Sequence, residues 1–239
     1  MFIFKSKKRN AFNCIMAILM FIISANSNAQ LKKPTLPDSI FSTYYHQRVS
    51  HFKTLPKTTN DIVFVGNSIS DGGEWSELFA DIRIKNRGIS GDISAGVLNR
   101  IDEIADRKPK KVFVMIGTND LSRNTSTDSI FKNITKITSY LKQESPSTKV
   151  YVQSVLPVND VHKKFGGHTS KGEQIKLLNA TLKQNATAYN FTFIDLHTPF
   201  CDANGKLNKN LTNDGLHLTG EGYLLWKHLV YPLVFDLET

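Results

Sequence analysis

The chain has 239 residues, 40% hydrophobic and 21% charged, an ordinary globular balance that supports one good core and is too short for two large ones. Its formal charge of +9 includes Lys5, Lys7, Lys8 and Arg9 near the N-terminus, so the rest of the chain carries about +5, with no basic stripe interleaved with aromatics that would suit a nucleic acid. Of the two cysteines, Cys14 falls in the N-terminal leader and Cys201 stands alone, which excludes an internal disulfide or a cysteine metal site in the mature protein.

In chain order, the four basic residues precede an apolar run from Ala11 to Ile23, and Ser27-Asn28-Ala29 follows with small residues where a signal peptidase reads. Residues 1–29 are therefore predicted to be a secretory signal peptide cleaved after Ala29, which implies a secreted or periplasmic protein. The run is short of the roughly 20 residues of a membrane span, so no span is expected after cleavage. Residues 30–239 are predicted to form one domain.

An amphipathic piece at 40–52 reads as a short lead-in helix. Asp61-Ile-Val-Phe-Val-Gly66 then reads as a buried strand, Gly66-Asn67-Ser68 as a turn, and 74–80 as a helix. Residues 82–86 are a candidate second strand and 87–92 a turn. Residues 93–106 have helical spacing, with apolar residues at 93, 97, 98, 101, 104 and 105. A third strand at 111–116 is followed by Gly117-Thr-Asn-Asp120 and a helix at 126–143. A fourth strand at 149–156 leads through a polar loop, 157–170, to a helix at 171–188. The fifth strand at 191–196 precedes Asp214-Gly-Leu-His217 and a last helix from 220 to about 231. Strand and helix alternating five times predicts a doubly wound parallel sheet.

Four polar segments fall at or beside strand ends, where open α/β sheets place their ligands. Acyl transfer needs a nucleophile, a base, a carboxylate to orient the base, and donors for an oxyanion. Ser68 suits the nucleophile, His217 the base and Asp214 the orienting carboxylate. The N–H groups of Ser68 and Gly88 and the side-chain amide of Asn119 suit the oxyanion hole. Taken singly, each is as readily structural: Ser68 as a helix cap, Asp214 as a cap or turn residue, His217 as a surface histidine, Asn119 as a turn former, Gly88 as a turn glycine. Five separate structural roles do not explain their coincidence at successive strand ends. Ser70 is a weaker nucleophile candidate than the glycine-flanked Ser68. Asp195 and His197 are two apart on an extended chain and point the same way rather than at each other. Asp120 is expected to serve a turn or hydrogen-bond network.

Gly66-Asn-Ser-Ile-Ser70, Gly88, Gly117-Thr-Asn-Asp120 and Asp214-Gly-Leu-His217 resemble the four blocks of the SGNH (GDSL-type) hydrolases, in order and over nearly all of the mature chain. Asn86-Arg-Gly-Ile-Ser-Gly-Asp92 and Leu216-His-Leu-Thr-Gly-Glu-Gly-Tyr223 look especially like the platelet-activating-factor acetylhydrolase catalytic subunits and bacterial sialate and carbohydrate O-acetylesterases. The resemblance implies an α/β flavodoxin-like three-layer α/β/α sandwich with a five-stranded parallel sheet. It also implies ester hydrolysis without cofactor or metal, with Ser68, Asp214 and His217 catalytic and Ser68, Gly88 and Asn119 forming the oxyanion hole. Asn67 departs from the family pattern, which has Asp beside the nucleophile.

The resulting expectation is a secreted serine esterase, monomer or homodimer, that removes short acyl groups, chiefly acetyl, from hydroxyls of sialic acid or other glycans. A lysophospholipase acting on lipid acyl esters is the enzymatic alternative. A non-catalytic glycan-binding module is the alternative from another class, disfavoured because no member of the catalytic set is missing.

Overall fold

The computed structural model describes residues 37–237, which fall within a single compact unit. The predicted signal peptide lies outside the described residues. Five parallel strands form one sheet: β1 (Ile62–Gly66), β2 (Ile84–Gly88), β3 (Lys111–Met115), β4 (Lys149–Gln153) and β5 (Thr192–Ile194), in the order β2-β1-β3-β4-β5. This is the flavodoxin-like order, whose strand sequence reverses between β1 and β3.

The helices are α1 (Thr43–Thr54), α2 (Ser68–Asp71), α3 (Trp75–Leu78), α4 (Ser94–Asn99), α5 (Ile101–Ala105), α6 (Thr118–Ser122), α7 (Thr127–Glu144), α8 (Gly166–Thr169), α9 (Gly172–Asn185), α10 (His197–Phe200) and α11 (Gly220–Phe235). β1 and β3 are buried along their whole length, as expected of central parallel strands covered on both faces. Phe64, Phe113 and Tyr151 lie side by side in register and stack with ring centroids 4.8 and 4.6 Å apart. Trp75 stacks on Phe64 at 4.2 Å, and Trp226 meets Trp75 edge-on at 4.8 Å. Both indoles are buried, and each N–H is satisfied, Trp75 by Ser70 O and Trp226 by Gln153 Oε1. α7 packs its Ile130, Ile134, Ile137 and Leu141 stripe inward and lies against α4, α5 and α9.

The fourth and fifth strands are shorter than read from the sequence, and three further differences have a traceable cause. β2 starts two residues later, because Asp81 holds residues 81–84 in a turn by accepting from the backbone N–H and the guanidinium of Arg83. The predicted helix 93–106 is broken at Arg100, whose side chain is turned into the core. The last helix runs past Pro232 to Phe235, because the buried Lys111 ammonium accepts the role of a C-cap and donates to the carbonyls of Leu233 and Val234.

Candidate active site

The ends of β1, β2 and β3 lie side by side, with Gly66 opposite both Gly88 and Met115. The segments that leave these ends therefore share one rim of the sheet. Asn67 caps α2, its side-chain oxygen accepting the Ile69 N–H at 3.0 Å, so an amide oxygen does what a carboxylate would do at this position. Ser68 follows as the first residue of α2, and its N–H has no acceptor among the described residues. Ser70 is buried, which removes it as a rival nucleophile.

Ser68 Oγ lies 3.0 Å from His217 Nε2, and His217 Nδ1 lies 2.7 Å from Asp214 Oδ2. The two residues 149 positions apart in sequence are thus in hydrogen-bond contact. Asp214 Oδ1 accepts the N–H groups of Leu216 and His217, both at 2.8 Å. Burial pushes the Asp214 carboxyl up, but the His217 ring and these two N–H groups outweigh it and hold it below the ordinary carboxylate value. A charged Asp214 fixes the His217 tautomer with its proton on Nδ1, which leaves Nε2 free to accept from Ser68.

Asn119, on α6 just past β3, is buried, and its amide is held at both ends. Nδ2 donates to Asp92 O at 2.9 Å, and Oδ1 lies 2.9 Å from His168 Nε2. The second N–H of the amide has no acceptor among the described residues. Asp120 accepts the Ser94 N–H and hydroxyl, so it serves the network expected of it.

Gly88 does not fit the donor role given to it from the sequence. Its N–H donates to Asn86 Oδ1 at 2.7 Å and is already committed. A Cβ there would clash with the Asp71 backbone nitrogen, so glycine at 88 answers to the close approach of β2 to α2. Gly91 lies in the predicted turn 87–92, with no role assigned to it from the sequence. It sits at the third position of the turn Ile89–Asp92, closed by the Asp92 N–H on Ile89 O, with φ at +82°, which favours glycine. Its N–H has no acceptor among the described residues. Asp71 accepts the Ser90 N–H and hydroxyl and so ties this turn to α2.

Arg100 holds the three segments together. Its guanidinium pairs with Asp92 at 2.9 Å and donates to Arg87 O and Gly66 O. Burial pushes the Asp92 carboxyl up to about 6 against the pull of Arg100. Arg100→Met is expected to destabilise the fold by about 3–5 kcal/mol, because it leaves a buried carboxylate unpaired. The loss should ease on acidification, since a carboxyl whose folded pKa lies above its unfolded value costs stability only as the pH rises through it. Urea denaturation at two pH values checks both statements, and a pH-independent loss under 1 kcal/mol would contradict them.

Asp195 accepts the backbone N–H and hydroxyl of Thr198, and His197 Nδ1 faces Cys201 Sγ at 3.5 Å, so the two form no acid–base pair. Burial lowers the His197 pKa. Among the described residues there is no cluster of three or more His, Cys, Asp or Glu able to hold a metal, and no helix long and apolar enough to cross a membrane.

A serine, histidine and aspartate in line at the carboxyl edge of a doubly wound sheet is an arrangement suited to acyl-group hydrolysis. The chain belongs to the GDSL-like lipase/acylhydrolase family, whose profile matches residues 64–225. It is 30% identical over 183 residues to the human platelet-activating factor acetylhydrolase IB subunit alpha2, covering 74% of this chain and 77% of that protein. It is 29% identical over 193 residues to an Escherichia coli N-acylneuraminate cytidylyltransferase, covering 79% of this chain but only 44% of that longer protein. Among solved structures, a GDSL-like lipase from Bacteroides thetaiotaomicron superposes with a TM-score of 0.70 at 28% identity, over 81% of this chain and 98% of that one. Membership makes the protein an ester hydrolase.

Proposed function

We propose that the protein is a secreted or periplasmic O-acetylesterase acting on hydroxyl-linked acetyl groups of carbohydrates, sialic acid foremost. The observation that carries the chemistry is the relay from Ser68 Oγ through His217 to Asp214, with contacts of 3.0 and 2.7 Å. Ser68 Oγ attacks the ester carbonyl as its proton passes to His217 Nε2. The oxyanion is held by the N–H groups of Ser68 and Gly91 and by the second N–H of Asn119. Collapse breaks the bond to the alcohol, which takes the proton from His217 and leaves an acyl-Ser68. Water then attacks the acyl group by the same route and releases the carboxylate.

Short-acyl preference is supported by the human relative, named an acetylhydrolase, and the sialate preference by the E. coli relative, named for an N-acylneuraminate. Both are carried over as proposals, as are the cleavage after Ala29 and the single domain of residues 30–239. One observation favours a second reading. Phe165, 44% exposed, meets the His217 ring edge-on at 5.1 Å and offers an apolar contact to a longer acyl chain, as a lipid-ester hydrolase would use. A hydrolysis panel on the purified protein decides. p-Nitrophenyl acetate preferred over longer esters, with acetate released from O-acetylated sialic acid, supports the first reading. Preference for long chains supports the second, and a folded protein inert on every ester would point to glycan binding without catalysis.

Asn119→Ala is expected to reduce kcat by about 10²–10³-fold, the usual loss for one oxyanion donor. Steady-state kinetics on p-nitrophenyl acetate check this, and a loss below about threefold removes Asn119 from the oxyanion hole.

A further inference from the structure

His168 lies on α8, within the loop that follows β4, and its ring reaches across to α6. We propose that His168 is a positioning residue for the oxyanion hole, setting the side-chain amide of Asn119 through a hydrogen bond from Nε2–H to Oδ1. The inference rests on the reading of Asn119 as an oxyanion donor.

The hydrogen-bond partners fix the roles. Asp92 O can only accept, so the nitrogen of the Asn119 amide faces it, at 2.9 Å. The amide oxygen therefore faces His168 Nε2, also at 2.9 Å, and that ring nitrogen must carry the hydrogen. An amide pinned at both ends has one orientation, and its remaining N–H is directed by the other two contacts. Burial, and next the charge of His217, lower the His168 pKa, which keeps the ring neutral near neutral pH.

The loop is built to hold this ring. Phe165 adopts φ +51°, a left-handed conformation uncommon for a bulky residue, and its carbonyl accepts the His168 N–H at 2.7 Å. Its ring meets His168 edge-on at 6.0 Å and His217 edge-on at 5.1 Å, so it contacts both imidazoles. Lys171 Nζ donates to Asn124 Oδ1 at 2.8 Å and ties the loop to the segment just beyond α6. The loop thus touches both halves of the site, the relay through Phe165 and the amide donor through His168.

The test is a double-mutant cycle on the full protein with p-nitrophenyl acetate, with thermal midpoints recorded for each variant. His168→Ala is expected to lower kcat about tenfold, the worth of one hydrogen bond, and to change KM less than about twofold. His168→Gln, which retains an amide donor, should recover most of the loss. In the Asn119→Ala background, His168→Ala should change kcat by less than about twofold, because the group it acts through is gone. An undiminished tenfold loss in that background, or full activity in His168→Ala alone, would overturn the proposal. Asn119→Ala retaining activity within about threefold of wild type would instead overturn the oxyanion reading itself.

Discussion

Ser68→Ala is expected to cut kcat by at least about 10⁴-fold while the protein keeps its thermal midpoint. In the proposed mechanism the hydroxyl is the atom that forms the acyl bond, and neither neighbour is placed to take over. Ser70 is buried with its carbonyl bonded to Trp75, and Asn67 is committed to capping α2. The fold should not suffer, because Ser68 Oγ makes its one side-chain contact with His217. The variant separates the competing readings as well. If hydrolysis of p-nitrophenyl acetate by Ser68→Ala stayed within tenfold of wild type, the acyl-serine mechanism would be wrong. Trapping with a serine-directed phosphonate, followed by mass spectrometry, should label Ser68 in the wild type and nothing in the variant.

Asp214→Asn should be nearly as damaging, lowering kcat on the order of 10⁴-fold. An asparagine fits the space, and its side-chain oxygen can still accept the Leu216 and His217 N–H groups. The group facing His217 Nδ1 then becomes an amide nitrogen, which donates and forces the ring proton onto Nε2. Nε2 so protonated cannot accept the proton of Ser68. Because its hydrogen bonds hold Asp214 below the ordinary carboxylate range, the wild-type carboxylate stays charged throughout about pH 5 to 8 and adds no step to the profile there. Stability drawn from this carboxylate is complete above its unfolded value and is lost only as the pH falls through its lower folded value. A variant that kept a tenth of wild-type kcat would show that Asp214 does not set the tautomer.

Much of the architecture was legible from residue pattern. The β-branched and aromatic run at 62–65, the glycine after it and the helical spacing at 126–143 determine a strand, a turn and a helix almost locally. Repetition of that unit leaves few topologies beside a doubly wound sheet. Boundaries were less legible where a side chain far away decides them. β2 starts late because Asp81 and Arg83 lock a turn, and α11 outlasts Pro232 because Lys111 from β3 supplies its last carbonyls with a donor.

The candidate site divides in the same way. Ser68, Asn119, Asp214 and His217 stand out as candidates because residue type alone restricts who can be nucleophile, amide donor, carboxylate or base, and the fold brings Ser68, His217 and Asp214 into contact. The choice between Gly88 and Gly91 was not legible, since both are glycines of one heptapeptide and what decides the donor is what their N–H groups meet. Asn86 takes the first and leaves the second open. His168, between a glycine pair and a threonine in a polar loop, gave no local sign of its reach to Asn119. Hydrophobic period and residue type are local properties, so the residue pattern alone points to the candidate side chains and to the sheet that carries them. Which backbone donors are free and which neighbours meet the Asn119 amide emerge with the folded chain, because a hydrogen bond is committed or open according to partners brought in from distant parts of the sequence.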